Sequence, residues 1–157
     1  MTGINGPQPI LIVEDSDDDY EATVRALNSN DNLRNPIYRC ESADEALDFL
    51  FLRGEFQDRS KYPRPGIVLL DLNMPGRDGR VVLEEMKADP KLKEIPVVVL
   101  TTSSDERDIH DCYAMGANTY VTKPVSLARF MDSVRRLKEF WFEVAILPKE
   151  SSDENAS

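Results

Sequence analysis

Apolar residues fall in short unbroken runs along this chain, and each run ends in polar or charged residues. Ile10-Leu11-Ile12-Val13 leads into Glu14-Asp15. Ile67-Val68-Leu69-Leu70 leads into Asp71, and Val97-Val98-Val99-Leu100 leads into Thr101-Thr102. Runs without polar alternation are the pattern of strands buried on both faces, as in parallel sheets. Two weaker segments, Ile37 to Cys40 and Thr119 to Thr122, complete five strands.

Helical spacing fills the intervals. The first helix is expected over Asp17 to Asn28, capped by Ser16 or Asp17, with Tyr20, Val24 and Leu27 inward. The second opens on the capping box Ser42-Ala43-Asp44-Glu45, buries Ala46, Leu47, Leu50 and Phe51, and stops at Gly54. The third starts at Asp78 or Gly79, turns Val81, Val82, Leu83 and Met86 inward, and ends before Pro90. The fourth spans Asp105 to Met115 and is stopped by Gly116. Ser126 caps the last, whose apolar positions are Leu127, Phe130, Met131, Val134, Leu137 and Trp141. The polar stretch Glu55 to Gly66 reads as a surface connection. Strand followed by helix, five times over, predicts an α/β fold: a doubly wound, five-stranded parallel sheet with helices on both faces. Residues 1–8 are expected to form a loose tail, residues 9–147 one domain, and residues 148–157 a disordered acidic tail.

Composition narrows the function. The 157 residues carry a net charge of −10, which argues against a nucleic-acid or anionic-membrane surface. No apolar segment is long enough for a signal peptide or a membrane span, so a cytoplasmic location with free Cys40 and Cys112 thiols is expected. His110 is the only histidine, which leaves little material for a histidine-based triad or metal site.

The candidate chemistry sits where the strands end. In open parallel sheets, ligands bind beyond the carboxyl ends of the strands. Glu14, Asp15, Asp71, Thr101 and Lys123 all fall there. Clustered carboxylates repel, and a hard divalent cation held by oxygen ligands relieves that repulsion. Lys123 adds a cation and Thr101 a hydroxyl donor. Phosphoryl transfer needs mostly positioning and charge neutralisation, which this set supplies, with Asp71 as the accepting nucleophile.

From Pro9 to about Phe142 these residues resemble the receiver domain of two-component response regulators. Thr101, Tyr120 and Lys123 lie 30, 49 and 52 residues after Asp71, as in that family. The resemblance implies a flavodoxin-like receiver fold with strand order 2-1-3-4-5. It implies that Asp71 is the phospho-acceptor, and that Asp15, Asp71 and the backbone carbonyl of Asn73 hold Mg2+ (or Mn2+), with Glu14 acting through water. Thr101, with Thr102 beside it, looks like the switch hydroxyl, Tyr120 like the switch aromatic, and Lys123 like the family's lysine. Pro124, which follows it, would be a cis-proline. A long connection before Asp71 and an extended last helix resemble the stand-alone regulators paired with cyanobacterial phytochromes. That implies a sensor histidine kinase as partner. Only 34 residues follow Lys123, so no DNA-binding output domain is expected.

Single residues decide between competing readings. The acidic run from Asp15 to Asp19 is not an EF-hand loop, because Tyr20 and Ala26 stand where Gly and a bidentate Glu are required. A haloacid-dehalogenase-type phosphatase needs a general acid two residues after its nucleophile, and Asn73 cannot serve as one. An unphosphorylated dimeric scaffold is a third reading. An apolar C-terminal segment favours a homodimer interface, with Phe130, Val134, Leu137, Phe140, Trp141, Phe142, Val144 and Ile146 as its candidates.

Overall fold

Side chains alternate across a strand, so each apolar run feeds two cores at once. In the computed structural model, Leu11, Val13, Val68, Leu70, Val97 and Val99 face one side of the sheet, and Ile10, Ile12, Ile67, Leu69, Val98 and Leu100 the other. The structure describes residues 7–29, 33–144 and 147–148, without the side chains of 143 and 144. The strands are β1 (Ile10–Val13), β2 (Ile37–Cys40), β3 (Ile67–Asp71), β4 (Val97–Thr101) and β5 (Thr119–Thr122). All neighbouring pairs are parallel, in the order β2-β1-β3-β4-β5. The three long runs form the buried centre, and the two weaker segments are the half-buried edges.

The helices are α1 (Asp17–Leu27), α2 (Ala43–Leu50), α3 (Arg80–Ala88), α4 (Glu106–Ala114) and α5 (Leu127–Lys138). Residues of α1 and α5 cover the Ile10 face, and residues of α2, α3 and α4 the Val13 face. Three of their N-caps are serines whose hydroxyls accept a backbone N–H three residues on: Ser16, Ser42 and Ser126. That pairing satisfies one of the orphan amides at a helix start.

Several inward faces are rotated from expectation. In α1 the buried residues are Ala22, Thr23, Ala26 and Leu27, and Tyr20 and Val24 lie on the flank. Small side chains win there because α1 packs closely on the sheet and α5. Phe49, not Phe51, is buried in α2. That helix ends before Gly54, with Leu52 in the left-handed region at φ 58°. Val81 is only half-buried in α3, and Leu127 at the start of α5 is exposed.

The connection from Glu55 to Gly66 is more than surface. Phe56, only 7% exposed, packs against Phe49 with ring centroids 5.3 Å apart and against Tyr62 at 4.8 Å. Tyr38 joins Phe49 at 5.7 Å. The two aromatic residues in an otherwise polar stretch extend the core past the end of α2.

The C-terminal expectation also changes. Phe130 and Val134 are buried in this domain's own core, where α5 must turn its apolar stripe, so they are unavailable to a partner. Leu137, Trp141 and Phe142 are partly buried against the same core, and Phe140 is 53% exposed. After Lys138 the chain continues as a π-helical turn, Glu139–Val144. The side chain of Val144 and all of Ile146 lie outside the described residues, as do most of the two expected tails. No described helix is long and apolar enough to cross a membrane.

Candidate functional site

Parallel register brings the ends of β1, β3 and β4 to one edge, because Val13 pairs with Leu70 and Asp71 with Leu100. Asp71 closes β3 and is 4% exposed, while Glu14 follows β1 and is 3% exposed. Asp15, next in the chain, is half-buried. One carboxylate oxygen from each of Glu14, Asp15 and Asp71 lies within 4.8 Å of the others. Such a cluster of oxygen donors could hold a hard divalent cation.

Lys123 follows β5 and reaches across to the cluster. Its Nζ is 2.6 Å from Glu14 Oε1, 2.9 Å from Asp19 Oδ2 and 3.5 Å from Asp71 Oδ2. Burial works against its charge, but the hydrogen bonds to Glu14 and Asp19 and the charge of Asp71 outweigh it and raise its pKa. The Glu14 carboxyl is pushed up to about 7, first by burial and then by Asp71, with Lys123 opposing. Among the described residues, Lys123 is thus the one cation within salt-bridge distance of these two buried carboxylates.

A second group of contacts runs along the Asp71 loop. The Asn73 backbone N–H donates to Asp71 Oδ1 at 3.1 Å. Its side-chain amide donates to the hydroxyls of Thr101 at 2.7 Å and Thr102 at 2.9 Å. Gly79 lets the start of α3 settle on this loop, since a Cβ there would meet the Asp71 carbonyl oxygen at 2.6 Å. Tyr120 lies half-buried with its hydroxyl donating to the Ser103 carbonyl at 2.9 Å.

Glu14, Asp15, Asp71, Asn73, Thr101, Thr102 and Lys123 therefore converge, Tyr120 sits to one side on the Ser103 carbonyl, and one expectation needs correction. The described residues include no cis peptide bond, so Lys123 and Pro124 are joined in trans. Trans is favoured by about 0.5–1 kcal/mol at an X–Pro bond unless the surroundings lock the other isomer. Reading the sequence also missed four residues. Asp19 touches Lys123. Ser103 Oγ donates to Asp108 Oδ2 at 2.7 Å, and Asp108 in turn pairs with Arg80, which links the loop after β4 to α3 and α4. The only signal for Asp19 was its place three residues after an N-cap serine, which looks like a capping position.

Known proteins share the fold. The response regulator receiver domain matches residues 10–135. Response regulator Rcp1 of Synechocystis sp. is 40% identical over 144 residues, spanning 92% of this chain and 95% of Rcp1. The Mn2+-bound form of Rcp1 superposes with a TM-score of 0.84 at 38% identity, covering 91% of this chain and 100% of that one. The phosphorylated cyanobacterial phytochrome response regulator RcpA also gives 0.84, at 39% identity, covering 91% and 99%. The bacteriophytochrome response regulator RtBRR gives 0.69 at 36% identity, covering 92% and 84%. This chain belongs to the response regulator receiver family and is a homologue of its phytochrome-associated members.

Proposed function

We propose that the protein takes a phosphoryl group from a sensor histidine kinase of phytochrome type onto the Asp71 carboxylate. The observation that carries this is the meeting of Asp71 with Glu14, Asp15 and Lys123 at one sheet edge. An Asp71 oxygen attacks phosphorus, the bond from phosphorus to the donor's histidine nitrogen breaks, and that nitrogen keeps the electron pair. Asp15, Asp71 and the Asn73 carbonyl would hold Mg2+ or Mn2+, with Glu14 acting through water, and the ion would supply positive charge against the transferring group. Lys123 donates to a phosphoryl oxygen, and the Thr101 hydroxyl, flanked by Thr102, donates to another. Moving Thr101 frees space that Tyr120 follows into. The surface of α4, β5 and α5 then changes by a shift of population between two states. The relatives' association with phytochromes supports the choice of kinase.

The test is the intact mass after incubation with a small phospho-donor and Mg2+. One phosphoryl adduct per chain, absent in Asp71→Ala, supports the reading. Multiple turnover of phosphomonoesters would favour a phosphatase instead, and no adduct from either a small donor or a cognate kinase would leave a scaffold.

The output we propose is by protein contact, in the cytoplasm, from a homodimer. Exposed Phe140, with Leu137, Trp141, Thr119 and Val121, lines an apolar groove of about 370 Å³ beside the β5 edge. A second copy of the same face would cover it. Sedimentation checks this: the wild type should be dimeric and Phe140→Glu monomeric, and a wild type that stays monomeric at high concentration would refute it.

A further inference from the structure

The third residue of a helix often uses a carboxylate to cap its own helix start. In α2, Glu45 does so: its Oε1 accepts the Glu41 N–H at 2.6 Å while its N–H donates to Ser42 Oγ. Asp19 holds the same place in α1. Its N–H donates to Ser16 Oγ at 3.2 Å, and its carbonyl accepts the Thr23 hydroxyl at 2.7 Å, so its backbone is fixed. Yet its carboxylate does not serve the cap. Among the described residues it accepts neither the Asp15 N–H, the counterpart of Glu41, nor the Ser16 N–H, which donates to Glu14 Oε2 at 3.2 Å. That leaves the Asp19 carboxylate free to turn to Lys123 Nζ, 2.9 Å away.

The consequence lies in how many partners one ammonium can serve. Lys123 has three N–H donors. In the resting protein Glu14 and Asp19 take the two short contacts, and Asp71 stands further off at 3.5 Å. A phosphoryl group on Asp71 would bring new anionic oxygens to the same ammonium. Glu14 is buried and, among the described residues, has no other cation within salt-bridge distance. Asp19 is the more exposed of the two, with its side chain 37% exposed, so water can replace Lys123 there at small cost.

We infer that Asp19 is a positioning residue that parks Lys123 in the resting state, and that Lys123 leaves Asp19, not Glu14, when a phosphoryl group arrives. This rests on Asp71 being the acceptor. Asp19 then sets how readily the phosphorylated state forms, without touching the reacting atoms. It is a competitor for the lysine built into α1.

The experiment compares wild type, Asp19→Asn and Asp18→Asn with Mg2+ and beryllofluoride, an inorganic phosphoryl mimic. Asp18 lies in the same turn and carries the same charge, so its variant corrects for the general loss of negative potential. Asp19→Asn should bind beryllofluoride about two- to fivefold more tightly than Asp18→Asn, the range expected for losing one part-exposed ion pair. Lysine ammonium NMR supplies a readout that a merely structural role would not move. The Lys123 signal should differ between wild type and Asp19→Asn at rest, and coincide once beryllofluoride is bound. Equal affinities for the two variants, or Lys123 signals that still differ in the loaded state, would overturn the inference. Failure of all three proteins to bind beryllofluoride would instead overturn the assignment of Asp71, and this inference with it.

Discussion

The side-chain amide of Asn73 donates to the hydroxyl oxygen of Thr101 at 2.7 Å, so Thr101 is anchored to the Asp71 loop at rest while its own O–H can still donate. If Thr101 swings toward a phosphoryl oxygen, that anchor must break. Asn73→Ala removes the anchor and leaves the backbone contact to Asp71. Beryllofluoride titration should show about two- to tenfold tighter binding, the equivalent of one net hydrogen bond. Unchanged affinity would mean that Thr101 does not exchange partners.

Three carboxylate oxygens within 4.8 Å of one another are uncomfortable without a cation. Added Mg2+ should therefore stabilise the fold by linkage. At a hundredfold excess over its Kd the gain is about 2.7 kcal/mol, or about 5–10 °C in Tm for a domain of this size. Calorimetry should show the shift in wild type, its reversal by a chelator, and its loss in Asp15→Asn.

Lys123 is the ammonium at 2.6 Å from buried Glu14. Replacing it with Met leaves Glu14 and Asp71 facing each other. The Glu14 carboxyl is held up at about 7 against 4.5, so the folded state keeps a proton that the unfolded chain has lost. Its contribution to stability is complete below the unfolded value and disappears as pH rises through about 7. Lys123→Met should deepen that loss, costing about 3 kcal/mol at about pH 8 and distinctly less at about pH 5, where Glu14 is neutral. Urea melts at the two pH values check the sign. An equal cost at both would show that Glu14 is not the group responsible.

The aromatic cluster makes a separate claim about the segment before β3. Phe56→Ala should destabilise the domain by about 3 kcal/mol, as for a large aromatic removed from a core. Phosphoryl uptake at Asp71 should be unchanged in the fraction that is folded. A cost below about 1 kcal/mol would return the segment to the status of a surface loop.

The sequence made the central strands legible because they are buried on both faces and carry no polar residue to confuse the period. β5 was found with the same bounds although it is an edge strand, since Gly116 and Lys123-Pro124 bracket it. The acid pair, Asp71, Thr101 and Lys123 were readable because strand ends in this architecture share one edge. Asp19 was not. Its role depends on the side chain of Glu14 taking the Ser16 amide, and no local pattern reports a hydrogen bond won by another residue. Phe56 and Tyr62 were hidden by charged and proline-rich neighbours, which outvote two aromatic residues in any window. Tyr20 and Val24 are among the largest apolar side chains of α1, so size alone points them inward. Close helix packing favours the alanines.

The bond from Lys123 to Glu14 spans 109 residues, and that to Asp19 spans 104. These pairs join the first strand and helix to the loop after the last strand, so the site is complete only once all five strands have left the ribosome. A nascent or clipped chain ending before Lys123 carries the acids without their cation. Such a fragment would lack the counter-charge that lets its two buried carboxylates pack side by side.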